Sequence, residues 1–195
     1  MGRNYREHAR EMGNDVPREP LLFLKPPSCV IAAGEAIELP PDAGRIDFEG
    51  EIGVVIGTRL RRADEATAAR GIRGLVAAND VSARDWQKND GQWARAKGCD
   101  TFLPLGNEVP LPADLNAVTV VPRHNGVERQ RATAAEMVFS IPFLLSYISR
   151  YITLEPGDLV LTGTPSGVAQ LQPGDTVDVE LVGLSKVANP VSAAR

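Results

Sequence analysis

Residues 51–57, EIGVVIG, constrain the chain more than any other segment. The run is apolar, rich in β-branched residues and closed by glycine, which predicts a strand buried in a sheet. Residues 72–81, IRGLVAANDV, predict a second apolar strand that ends in Asn79-Asp80. A chain with two such strands needs a sheet core. Composition agrees: Gly and Pro number 18 and 15 among 195 residues. That excess calls for many turns and short strands, and it argues against a helical bundle or a coiled coil.

The remaining punctuation fits the same class. Residues 117–123 and 127–131 flank His124-Asn125-Gly126, and Asn-Gly between strand-like runs predicts a hairpin. Pro122 then marks an edge strand, and His124 reads as a surface residue beside the turn. Residues 64–70 predict a helical turn or two, and residues 159–162 and 176–182 predict strands. Ile141, Leu144, Leu145, Ile148 and Ile152 fall on one face of a 3.6-residue period, so a helix runs from about 141 to 152, with Ser140 as its N-cap. Gly2 to Met12 is polar and predicts a short exposed helix. Strands outnumber helices, which gives an α+β or mainly β class with a mixed sheet. No internal repeat or linker divides the chain, so residues 1–195 are expected to form one domain, with residues 1–20 as an N-terminal lid segment.

The formal net charge of −4 lacks the basic excess of a dedicated nucleic-acid binder. The first ten residues are charged, with no apolar signal core. The longest nearly apolar stretch, Met137 to Leu145, is too short for a membrane span. Two cysteines, Cys29 and Cys99, make neither a disulfide scaffold nor a zinc site. The expectation is a cytoplasmic protein with no nucleic-acid or membrane partner.

Glu49 and Glu51 stand two apart at the start of the first strand, so they point the same way. Two carboxylates held that close next to a buried segment call for a cation; a frayed strand end with both in water is the alternative. Asp80, at the end of the second strand, either reaches a ligand or caps the next turn. Together the three make an oxygen-only set suited to Mg²⁺ or Mn²⁺, with Ca²⁺ in the same class of hard cations. His8 and Glu11 stand at i and i+3, neighbours on a helix, where a carboxylate orients an imidazole as a general base needs; a solvated surface pair is the alternative. Arg84, Gln87 and Lys97 follow Asp80 in a stretch dense in polar and aromatic residues, either lining a site or forming a solvated loop anchored by Trp86 and Trp93.

The strings GRNYREHAREM, FLKP, DFEGEIGVVIG, NDVSARDWQ, RAKGCDTFLPLG and LTGTPSGV, in this order, resemble the fumarylacetoacetate hydrolase family, most closely its small single-domain acylpyruvases and oxaloacetate decarboxylases. The resemblance runs from Gly2 to about Val182. It implies a mixed β-roll flanked by short helices, usually a homodimer. It implies that Glu49, Glu51 and Asp80 ligate Mg²⁺ or Mn²⁺, and that His8 and Glu11 activate water from a lid helix. Lys97 matches the family's active-site lysine, Arg84 and Gln87 match substrate-contacting residues, and Lys25 and Thr164 match positions near the substrate carboxylate. The implied substrate is a small 2-oxo or 2,4-dioxo acid, and the implied reaction is hydrolytic C–C cleavage through an enolate. Oxaloacetate decarboxylation and isomerisation of a 2-hydroxyhepta-2,4-diene-1,7-dioate use the same enolate. A metal-stabilised binding dimer is the non-enzymatic alternative. The sequence departs from the family pattern in two places. The short strand usual before GRNY does not precede it here, and Cys99 stands where an aromatic residue is common.

Overall fold

In the computed structural model, residues 1–194 are described. The chain runs α1 (Arg6–Glu11), β1 (Val30–Ile31), β2 (Ile37–Leu39), β3 (Ile46–Asp47), β4 (Gly50–Ile56), α2 (Glu65–Arg70), β5 (Ile72–Asn79), β6 (Ser82–Ala83), α3 (Arg84–Asn89), α4 (Ala94–Gly98) and β7 (Leu103–Pro104). It continues with β8 (Thr119–His124), β9 (Val127–Glu128), β10 (Ala132–Thr133), α5 (Ile141–Tyr151), β11 (Leu159–Leu161), β12 (Thr176–Leu181) and β13 (Ser185–Ala193).

The apolar run at residues 51–57 becomes β4, buried along its whole length. It lies between β11 and β5 in a three-stranded antiparallel sheet. A second, mixed sheet has the order β10-β8-β12-β13-β2, with β9 also on β8 and β2 parallel to β13. Ile52, Val54 and Ile56 meet Val120, Val179, Leu181 and Val187 of the second sheet and Ile141, Leu145 and Ile148 of α5 in one core cluster. Burying each of these aliphatic side chains is worth about 1.5–3 kcal/mol. A second cluster gathers Phe48, Phe102, Ile37, Leu171 and Val177. The architecture is the expected α+β mixed-sheet class. Among the described residues no helix is long and apolar enough to cross a membrane.

Helix α5 obeys its sequence signals: the Ser140 hydroxyl accepts from the Phe143 amide, and Ile141, Leu144, Leu145 and Ile148 are buried. The hairpin forms as expected, with Asn125 and Gly126 at φ 52° and 77°. Three expectations need correction. Pro122 is not on an edge strand, because β8 has β12 on one side and β9 and β10 on the other. Its carbonyl faces the gap between β9 and β10, where it accepts from the Arg129 and Gln130 amides, so its missing N–H leaves no ladder partner unmet. His124 is not a free surface residue: its Nε2 lies 2.8 Å from Asp175 Oδ2 and its ring packs against Phe48. Helix α1 is not exposed all round, since His8 and Ala9 are buried. Strand β13 had no sequence expectation. Its inward positions are Ser185, Val187, Asn189 and Val191, and the two polar residues break the apolar alternation.

Candidate metal centre and catalytic cavity

The pairing of β4 with β5 builds the centre. Gly50 is opposite Asn79, so the start of one strand and the end of the other lie side by side. The Asp80 amide donates to the Glu49 carbonyl at 2.8 Å, and the Glu49 amide donates to Asn79 Oδ1 at 3.0 Å. Glu49 and Glu51 face the same side, as their spacing requires. One oxygen from each of Glu49, Glu51 and Asp80 lies within 4.8 Å of the others, and all three residues are buried. Gly50 is required between the two glutamates, because a Cβ there would stand 2.0 Å from Pro122 Cγ.

Cations surround the carboxylates. Lys97 Nζ donates to Glu49 Oε2 at 2.7 Å and to Asp80 Oδ2 at 2.8 Å. Arg84 Nη1 lies 2.7 Å from Glu49 Oε1 and donates to Gln87 Oε1 at 2.9 Å. Lys25 Nζ sits 2.8 Å from Asp80 Oδ1 as an ion pair, off the alignment of a hydrogen bond. Lys25 also donates to the carbonyls of Phe102, at 3.0 Å, and Lys97. Burial opposes ionisation of Glu49, but Lys97 and Arg84 overcome it and hold its carboxyl well below the usual range. Burial likewise opposes ionisation of Asp80, and Lys25 and Lys97 lower it. Burial pushes Glu51 up to about 8, and the neighbouring Asp80 and Glu49 charges push the same way.

The donor set fits a hard divalent cation. Glu51 Oε1 is buried without a hydrogen-bond partner among the described residues. A buried, unpaired carboxylate oxygen facing two other carboxylates is costly unless a cation joins them. Three carboxylates and no thiolate or imidazole are a donor set of the kind hard divalent cations take.

A cavity of about 430 Å³ opens beside the centre and is lined by His8, Glu49, Arg84, Gln87, Lys97 and Thr164, among others. The structure thus brings six of the sequence-predicted site residues to one cavity. Glu51 and Asp80 are not on its wall, though each has an oxygen within 4.8 Å of one on Glu49, and Lys25 borders an adjoining apolar cavity. Glu11 is not on the cavity wall; its Oε2 is 3.2 Å from His8 Nδ1, and its two carboxylate oxygens accept from the Gly167 amide at 2.9 and 3.1 Å. Glu11 therefore fixes the ring of His8 from behind. Trp93 lines the cavity and its ring lies 5.5 Å from that of Phe23.

Sequence reasoning missed three residues here. Asp47 is fully buried and accepts from Arg84 Nε and Arg45 Nε, each at 2.8 Å. Its signal was present: Asp47, Glu49 and Glu51 alternate at i, i+2 and i+4. Asn4 is fully buried; its Nδ2 donates to the Thr162 and Phe139 carbonyls at 2.8 and 3.0 Å, and its Oδ1 accepts from the Phe139 amide at 2.8 Å. Gln130 is buried among exposed neighbours. Neither amide carries a local sequence signal.

Residues 1–192 match the family described as fumarylacetoacetate (FAA) hydrolase C-terminal. A mitochondrial oxaloacetate decarboxylase of Dictyostelium discoideum is 40% identical over 191 residues, which is 94% of this chain and 88% of the relative. The mitochondrial oxaloacetate tautomerase FAHD1 of Arabidopsis thaliana is 39% identical over 193 residues, 96% of this chain and 86% of the relative. The crystal structure of a 5-carboxymethyl-2-hydroxymuconate delta-isomerase from Mycobacterium smegmatis superposes with a TM-score of 0.91 at 43% identity, covering 100% of this chain and 77% of that one. This chain belongs to the fumarylacetoacetate hydrolase C-terminal family.

Proposed function

We propose that this protein is a divalent-cation-dependent enzyme that cleaves the C–C bond of 2,4-dioxo acids, the acylpyruvates, by hydrolysis through an enolate. One observation carries the reading. His8, a base held from behind by its orienter Glu11, opens on the same cavity as Glu49, Lys97 and Arg84. A cation held by Glu49, Glu51 and Asp80, with Mg²⁺ or Mn²⁺ as the proposed ion, supplies Lewis-acid stabilisation of developing negative charge, a contribution of several kcal/mol.

The side chains do the rest. Glu11 against His8 Nδ1 selects the tautomer with its proton on that nitrogen, leaving Nε2 to take a proton from water. The activated water attacks the distal carbonyl of the substrate. Arg84 Nη2 is buried with no partner among the described residues, so it is a donor ready for an oxyanion. Burial opposes the charge of Lys97, but Asp80 and Glu49 raise its pKa, so it stays protonated and can deliver a proton to the enolate. Gln87 and Thr164 border the cavity where the substrate carboxylate is expected, and Lys25 supports that side through Asp80.

A second reading, tautomerisation or decarboxylation of oxaloacetate, is favoured by the names of two relatives. It needs the enolate and no attacking water. One panel separates the two: acetylpyruvate, fumarylpyruvate, oxaloacetate and a hydroxymuconate-type diacid, each with and without EDTA, on the wild type and His8→Ala. Hydrolysis should require the metal and fall by about a hundredfold or more in His8→Ala, with Mn²⁺ binding kept. Oxaloacetate turnover that survives His8→Ala, with no acylpyruvate cleavage in the wild type, would replace the first reading with the second. No turnover of any member would favour the binding dimer.

A further inference from the structure

We infer that Gln130 is a positioning residue that clamps the 162–167 loop onto the start of β4, between Glu49 and Glu51, and so sets where Thr164 meets the substrate. The inference rests on the roles proposed above for that strand and for Thr164.

The segment around Gln130 gives no reason for a buried amide. Val127, Glu128, Arg129 and Arg131 are exposed, and Gln130 alone turns inward, at 2% exposure. Both the amide nitrogen and the amide oxygen are engaged. Nε2 donates to Thr164 Oγ1 at 2.8 Å and to the Pro165 carbonyl at 2.5 Å. Oε1 accepts from the amide of Gly50, the residue between the two glutamates, at 3.2 Å. A buried amide costs stability unless its donors and acceptor are met, and here each meets a part of the site. Packing alone would have been served by leucine or methionine.

The clamped loop touches the acidic cluster, the residue behind His8 and the cavity. The Gly163 amide donates to Glu51 Oε2, the Gly167 amide donates to Glu11, and Thr164 lines the cavity. Its backbone path allows little choice. Gly163 and Gly167 have φ of 102° and 104°, and a Cβ on Gly167 would stand 2.0 Å from the Arg129 carbonyl oxygen. The loop is therefore pressed against the Gln130 segment. Thr162 and Glu51 tie its start to β4, and Gln130 is the side chain that ties Thr164 and Pro165 to Gly50. Removing the tie frees the Thr164 hydroxyl to rotate and leaves the Pro165 carbonyl and Gly50 amide unpaired.

The test combines Gln130→Met, which keeps side-chain length, with Thr164→Val and the double variant. In the metal-free protein, amide exchange at Gly163 and Gly167 should accelerate by about tenfold in Gln130→Met, with the amides of β11 unchanged. With a substrate that the wild type turns over, KM should rise by about tenfold and kcat change by less than about threefold in each single variant, the double variant being no worse than the worse single. Unchanged loop exchange, acceleration spread through β11, or single effects that multiply in the double would each overturn the clamp. Gln130→Glu, of equal length, keeps an acceptor for Gly50 and loses both donors; it should repeat the loop-exchange result where Gln130→Met fails to fold. If the wild type turns over no 2-oxo acid, the functional reading fails on its own and amide exchange decides for or against the clamp.

Discussion

Glu51 stands on β4, and Glu49 and Asp80 directly flank β4 and β5, two strands paired along their length, whereas His8 and Glu11 stand on a six-residue helix with no side-chain N-cap. The carboxylates are held by Lys97, Arg84 and Lys25, themselves nearly inaccessible. The helix is held by Asn4, by a Tyr5–Met137 bridge and by the Glu11–Gly167 contact. Glu11 keeps 32% of its side chain exposed, while Asp80 keeps none. The difference teaches where the site stores its rigidity. The carboxylate wall is part of the folding core, so its charges are placed before any ligand arrives. The His8 wall rests on a handful of hydrogen bonds, so local opening there should cost less than at the carboxylates.

The hardest test of this contrast is Lys97→Met. It leaves Glu49 and Asp80 buried without their shared ammonium, and urea unfolding of the metal-free protein should lose about 3–5 kcal/mol. Saturating Mn²⁺ should restore part of that loss. A change below about 1 kcal/mol would mean that the buried charges do not hold the wall. Asn4→Ala should have a smaller effect on the whole and a larger one on the helix. Global stability should fall by about 1–3 kcal/mol, protease cleavage should appear first within residues 6–12, and Mn²⁺ affinity should stay at the wild-type value. Equal loosening of β4 and α1 would erase the distinction between the walls.

The smallest effect lies outside both walls, at the foot of the hairpin. Burial opposes ionisation of Asp175, but hydrogen bonds from Asn125, His124 and the Gln172 amide outweigh it and lower its pKa. A carboxyl lowered in the folded state stabilises the fold above its unfolded pKa, about 3.9, and loses that contribution as pH falls through its folded value. The stability advantage of the wild type over Asp175→Asn should therefore be full above about pH 4 and shrink below it. An advantage independent of pH would remove the carboxylate from that account.

The same contrast decides what could be read from residues alone. The acidic wall was legible because its carboxylates sit at strand ends, where an apolar run meets an acid: IGVVIG after Glu49-Gly50-Glu51, and IRGLVAAN before Asp80. Strand periodicity then says which way the glutamates point. Helix α5 and the Asn-Gly hairpin were legible for the same local reason. What escaped depends on partners far along the chain. Asn4 bonds to Phe139 and Thr162, Gln130 to Gly50 and Thr164, and His124 to Asp175. Pro122 looked like an edge residue because nothing local reveals the gap between β9 and β10 that accommodates it.

The account stands on the three carboxylates as cation ligands, and calorimetric titration of Mn²⁺ into the wild type and the Glu49→Gln/Glu51→Gln variant tests this most directly. The wild type should bind one ion per chain, and the double variant should show no saturable binding at the same concentrations while keeping its far-ultraviolet circular dichroism. An Mn²⁺ affinity unchanged by the two substitutions would contradict the assignment of the metal centre.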